Sequence, residues 1–219
     1  MSRYRQKCTC GSGKAMCRCC AAPSRQTKLN LEATAKRLSN VGMHAEAAQV
    51  LKERARLSPQ NPMIWNDAGV EHVAAGQTQE AHEAFRRALK ALADYTPSLY
   101  NLGRLAIEHC AAEKAKEHPS EERTRELAAE AVQYLEKSLS RDPLRYQTHA
   151  ALSTAYSVMG DAVRATFHSI KASELKPFEL AEPKGTWVEQ LFLKAFAIPK
   201  SQAALPFVFS TGKEIKVSR

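Results

Sequence analysis

Between Pro62 and Tyr95, apolar and small residues recur at helical spacing on both sides of one glycine. Trp65, Ala68, Gly69 and His72 share one face of a first helix. Ala81, Phe85 and Ala88 share one face of a second. Gly76, between them, suits the left-handed conformation that ends a helix tightly, so two antiparallel helices are expected. Gly69, Ala81 and Ala88 are small where the helices must approach, and Trp65 and Phe85 fill the gap between them. One such hairpin cannot bury both of its faces and needs neighbours stacked on it.

The neighbours follow from the same pattern, stepped by about 34 residues. One period back, residues 28–61 place Leu31, Ala35, Leu38, Gly42, Ala47, Leu51 and Pro59 in register. One period forward, Leu99, Leu102 and Gly103 fit a third first helix. Its second helix, with Ala131, Leu135, Ser138 and Pro143, fits only after about 16 extra residues. Residues 146–179 return to register with Leu152, Ser153, Tyr156, Gly160, Ala165, Ala172 and Pro177. The extra residues lie within Glu108–Glu126, favour helix, and contain a turn at Pro119-Ser120. Shared between two helices, they lengthen each by about 12 Å at 1.5 Å per residue. The projecting hairpin is then either a prong for a partner or a neutral elongation.

A helix pair of this length, with small residues at its eighth and twentieth places, resembles the tetratricopeptide repeat. The resemblance covers residues 28–179 as four units: 28–61, 62–95, 96–145 with the insertion, and 146–179. Thr34 and Arg54 depart from it, standing at places that are usually apolar or small. It implies an all-α fold, a right-handed superhelix of about four helical hairpins whose first helices line a concave groove for a protein or peptide segment. In that family the inward places here include Lys36, Asn66, Val70, Tyr100 and Arg104, with Asn101 beside them. Asn66 and Asn101 suit the backbone of an extended peptide, Val70 and Tyr100 its apolar side chains, and Lys36 and Arg104 a carboxylate. The groups that clamp the acidic C-termini of chaperones in some members are only partly present, so that ligand is not expected.

Beyond Pro177 a short linker leads to Thr186, which with Glu189 forms a capping box. Val188, Leu191, Phe192, Ala195 and Phe196 make an apolar stripe over about 186–197. Such a helix either seals the open end of the repeats or docks a partner. The rest of the 180–219 segment is a basic extended tail, with strand-like pieces at Pro206–Ser210 and Ile215–Val217. It either folds back on the repeats, into their own groove, or stays loose.

Charge sharpens the picture of the ends. The 219 residues carry +9. Residues 1–30 hold Arg3, Arg5, Lys7, Lys14, Arg18, Arg25 and Lys28 and no acid. Residues 194–219 hold five bases against Glu214, so the helical body is left slightly acidic. Basic ends fit RNA, the ribosome, acidic lipid or an acidic protein; the alternative is a solvated tail that only aids solubility. No apolar run is long enough for a membrane span. No apolar segment follows the basic N-terminus, so a secretory leader is not expected and a cytoplasmic setting is.

Five of the six cysteines fall in the first 20 residues. In a reducing compartment this crowding favours a metal over disulfides. Cys8, Cys10, Cys17, Cys19 and Cys20 offer two groups of sulfurs separated by a turn that Gly11 and Gly13 permit. Thiolates in such an arrangement suit tetrahedral Zn2+. The run Cys8-Thr-Cys10-Gly-Ser-Gly, followed by Cys19-Cys20, resembles the SEC-C motif, the zinc knuckle at the C-terminus of the SecA translocase ATPase. The resemblance implies Cys8, Cys10, Cys19 and Cys20 as ligands of a knuckle over 1–21, followed by a linker over 22–27. Met16 stands where an aromatic is usual, and Cys17 where a base is usual, which makes Cys17 a substitute ligand. In SecA this knuckle meets the SecB chaperone and lipid, which implies a second docking point here. The GSGK run lacks the leading Gly, the trailing Ser or Thr and the preceding strand of a phosphate loop.

No catalytic constellation emerges. The seven histidines are scattered, without a His-Glu-x-x-His pair or a Gly-x-Ser-x-Gly elbow. His72 and His149 fall at helix-packing places, and Cys110 reads as an inert thiol. The expected function is a non-enzymatic adaptor for a protein or peptide client. The competing reading is an RNA- or ribosome-associated factor that uses its basic ends.

Overall fold

The computed structural model describes residues 25–176 and two short strands, Phe207–Val208 and Glu214–Ile215. The cysteine-rich segment 1–21 and the helix expected over 186–197 lie outside the described residues. Eight helices run in order: α1 Arg25–Asn40, α2 His44–Arg56, α3 Pro62–Ala74, α4 Thr78–Ala91, α5 Thr96–Lys114, α6 Glu121–Arg141, α7 Tyr146–Met159 and α8 Ala162–Leu175. α1 begins inside the stretch read as linker. The chain divides into two compact units, Met1–Leu92 with α1–α4 and Ala93–Arg219 with α5–α8 and the strands.

In the first unit each helix lies beside the next. Asn61 caps α3, its side chain accepting from the Met63 amide at 3.0 Å, and Pro62 follows where a missing N–H costs nothing. α3 ends at Gly76 (φ +73°), and Gln77 N–H donates to the His72 carbonyl at 2.8 Å across the turn. α4 is strongly one-sided: Ala81, Ala84, Phe85 and Ala88 are buried, and Glu80, Glu83, Arg86 and Arg87 are exposed. The two helices close around Gly69. A β-carbon there would sit 2.5 Å from the Phe85 ring, so the bare backbone is what lets the ring in. Fully burying such a ring stabilises by about 1.5–3 kcal/mol. The indole N–H of Trp65 is satisfied by the Pro59 carbonyl at 3.1 Å.

The second unit repeats this arrangement with a longer hairpin. α5 has 19 residues against 13 in α3, and α6 has 21 against 14 in α4. Gly103 is the counterpart of Gly69: a β-carbon there would meet Leu135 Cγ at 2.5 Å. The added length has its own small core of Cys110, Leu127 and Ala128, with Val158 packed on it. Ser120 caps α6, accepting from the Arg123 amide at 3.2 Å. The main core joins Tyr100, Ile107, Ala131, Leu135, Leu152 and Tyr156. α7 ends at Gly160 (φ +81°), and Asp161 caps α8. α8 buries His168, while Val163 is 81 %, Phe167 54 % and Ile170 53 % exposed. The strands β1 (Phe207–Val208) and β2 (Glu214–Ile215) pair antiparallel, Phe207 opposite Ile215. β1 runs alongside α5.

Candidate functional site

The residues read as client-facing fall on three helices. Lys36 is exposed on α1. Asn66 and Val70 sit one turn apart on α3, and Tyr100, Asn101 and Arg104 form a patch on α5. The tetratricopeptide resemblance implies that Asn66, Val70, Tyr100 and Arg104 face inward, with Asn101 beside them; all five are buried. The Asn66 amide donates to Asp67 at 3.3 Å. Asn66, Tyr100, Asn101 and Arg104 all have further polar or ring partners.

On α5 the side turned to α6 is marked by three contacts. The Ser138 hydroxyl donates to the Thr96 carbonyl at 3.5 Å, Gly103 receives Leu135, and the Cys110 thiol donates to the Thr124 carbonyl at 3.5 Å. Asn101 is two residues from Gly103, about 200° round the helix at 3.6 residues per turn. Arg104 donates to Glu108 at 3.3 Å, an ion pair with a nearly buried guanidinium. Arg145 lies over the Tyr100 ring at 4.8 Å. The patch therefore combines a carboxamide, a guanidinium and an aromatic ring, chemistry suited to gripping a polypeptide backbone.

Two polar clusters lie away from these faces. In the first unit a cavity of about 230 Å³ is lined by Lys52, Trp65, His72, Glu83 and Arg87 among others. Arg87 lies over the Trp65 ring at 5.0 Å and pairs with Glu83 at 2.9 Å. His72 donates through Nδ1 to Gln77 Oε1 at 2.7 Å, and its buried Nε2 has no partner. Glu71, almost fully buried, meets His44 at 2.7 Å and ties the start of α2 to α3.

In the second unit His149 and His168 meet Nδ1 to Nδ1, and His149 donates through Nε2 to the Pro143 carbonyl at 3.1 Å. His168 stacks on Tyr156, whose hydroxyl donates to Glu136 at 2.5 Å. Burial, then the neighbouring His149, holds His168 below its ordinary range. Burial, then the Glu136 bond, raises Tyr156. Sequence reasoning placed His149 in the packing but missed the pair. The signal was there, since His168 lies on the second helix of the same hairpin, 19 residues on.

The zinc candidates Cys8, Cys10, Cys17, Cys19 and Cys20 lie outside the described residues. Among the described residues no group of three His, Cys, Asp or Glu side chains stands ready for a metal. Cys110 is buried, and desolvation pushes its thiol up to about 11, so it is no nucleophile at neutral pH. Among the described residues no helix is long and apolar enough to cross a membrane.

No protein-family profile and no curated protein sequence matches the chain. Solved structures do. The crystal structure of the MamA protein is 20 % identical over 71 % of this chain and 78 % of its own, with a TM-score of 0.55. A second MamA crystal structure is 20 % identical over 68 % and 77 %, with a TM-score of 0.56. A monomeric IFIT1 mutant solved with Gppp-AAAA is 20 % identical over 66 % of this chain and 32 % of its own, with a TM-score of 0.58. These likenesses show a tetratricopeptide-like, all-helical fold.

Proposed function

We propose that the protein is a non-enzymatic adaptor that holds a protein or peptide segment on the first-helix faces of its repeats. The observation that carries this reading is the polar and aromatic patch of Tyr100, Asn101 and Arg104, set on a helix of a tetratricopeptide-like fold. In this reading the N-terminal knuckle is a second docking point. Cys8, Cys10, Cys19 and Cys20, or Cys17 in place of one of them, hold Zn2+; four thiolates closed by a short turn are a donor set that suits it.

Affinity capture from the native cell tests the adaptor. Wild-type chain is compared with Lys36→Glu, Arg104→Ala and the pair Cys19→Ser/Cys20→Ser. Loss of a shared client from the first two supports docking on the repeat faces, and identical eluates sink it. Identical eluates from the cysteine pair remove the knuckle's role as a docking point. Less than one zinc per chain in fresh reduced protein removes the metal.

A second reading, contact with RNA or the ribosome, is favoured by the charge of residues 1–30 and by the capped oligonucleotide in the IFIT1 structure. Such binding weakens steeply with salt, and salt-insensitive binding counts against it.

A further inference from the structure

We infer that the outer side of α8 is the seat of the chain's own segment 186–197, docked there as a helix. The inference goes beyond the adaptor reading and does not rest on it.

The two sides of α8 differ in kind. Inward, His168 is buried and Ala165 packs on the main core. Outward, Val163, Phe167 and Ile170 stand at i, i+4 and i+7 and make one apolar row, each more than half exposed. Ala165 is two residues on from Val163, about 200° round the helix, so the row faces away from the core. A second helix built to meet water looks different. In the first unit α4 exposes Glu80, Glu83, Arg86 and Arg87 and buries its apolar side. Three large apolar side chains in one open row mark a surface that a further element covers.

The chain carries a matching element. Thr186 and Glu189 form a capping box, and Val188, Leu191, Phe192, Ala195 and Phe196 share one face of the helix it would start. The row from Val188 to Phe196 is about 12 Å long at 1.5 Å per residue, and that from Val163 to Ile170 about 10 Å. Pro177, Pro183 and Gly185 keep α8 from running on into this helix, so the chain is free to turn back. The tether reaches: α8 ends at Leu175, and residues 176–185 span up to about 33 Å when extended, against about 21 Å for α8 itself. Beyond the segment the chain returns to the same unit, where β1 runs alongside α5. A segment tied this closely acts at an effective concentration of order millimolar, about a thousandfold above a second copy present at micromolar level. Its own segment therefore fills the α8 row before another copy does. The stack of hairpins ends there, and client docking is left to the first-helix faces.

The test is amide exchange on the full-length chain, with a synthetic peptide of residues 184–200 as the unprotected reference. Amides of residues 189–197 should exchange at least about tenfold more slowly in the chain than in the peptide. That protection should be the same after about tenfold dilution from micromolar concentration. Phe167→Asp on the seat and Phe192→Asp on the segment should each abolish it. Exchange over α7 shows whether the last hairpin stays folded in Phe167→Asp, and if it does not, Val163→Asp is read in its place. An unprotected segment in the unsubstituted chain overturns the inference. Protection that survives either substitution also overturns it, because the segment then sits elsewhere. Protection that is lost on dilution does so too, because the occupant then comes from a second copy.

Discussion

The Nδ1 atoms of His149 and His168 lie 2.9 Å apart in the interior of the last hairpin. Two lone pairs cannot meet at that distance, so one ring must donate. His149 already donates through Nε2 to the Pro143 carbonyl, so in the neutral pair its Nδ1 accepts from His168. A proton added to each ring would set two donors against each other.

A pH dependence follows. Burial, then His149 and more weakly Arg164, disfavour charge on His168, while Glu136 pulls the other way; Tyr156 stacks on it. The unfolded chain takes up a proton near 6.5, and the folded hairpin does so only at lower pH. Stability is therefore full above that value and lost as pH falls through it. Thermal melts should show a lower Tm at about pH 5.5 than at about pH 7.5, with a smaller drop for His168→Gln. A larger drop in the variant would refute the assignment.

Gly69 and Gly103 make a second, paired prediction. Alanine at either adds a methyl where a side chain already sits 2.5 Å away. The overpacking cost of about 1–3 kcal/mol exceeds the helix-propensity gain of about 1 kcal/mol. Gly103→Ala should cost more, because Ala131 O also stands 3.2 Å from the new carbon and backbone cannot swing aside. Urea midpoints measure the order. In a double-mutant cycle, Phe85→Leu should lessen the cost of Gly69→Ala and leave that of Gly103→Ala unchanged.

Cys110 should stay unreacted in the native chain. Its thiol is buried, bonded to the Thr124 carbonyl, and raised to about 11. Iodoacetamide at about pH 8, with labelled sites located by mass spectrometry, should modify Cys110 only in denaturant, at a rate near that of a free thiol. Rapid native labelling would mean the elongated hairpin opens.

Ser120→Ala should destabilise the start of α6 by about 1 kcal/mol. Its side chain accepts from Arg123 N–H, and its carbonyl accepts from the Thr124 hydroxyl at 2.8 Å. Faster amide exchange confined to residues near 121–125 is the expected sign. Global loss of stability without local fraying would contradict it.

The helices were legible because their signals are local. Pro62, Gly76 and Gly160 mark ends whatever the rest of the chain does, and Gly69 facing Phe85 is a contact inside one hairpin. The long third hairpin was also readable, since an insertion that keeps both flanks in register must sit between them. Burial of Asn101 and Arg104 was not readable. A period says which way a residue points, but not what packs over it. The histidine pair failed for a related reason: each ring alone looks like ordinary packing, and the hydrogen bond exists only when both are placed. The cysteine cluster is the reverse case, where the spacing suggests chemistry that no helix geometry can address.

The elongated α5–α6 hairpin also bears on how such a chain changes over generations. Its extra turns are added at the tip, nearly equally to both helices, and carry their own core of Cys110, Leu127 and Ala128. The roots of both helices, where Gly103 meets Leu135, keep their phase. Growth of this kind escapes the constraint that fixes the repeat period: turns beyond this small core can be gained or lost in matched pairs while Gly103 and Leu135 keep their register. The tip is thus where descendants of this sequence can vary most freely in length, while an unmatched change in one helix would be selected against at once.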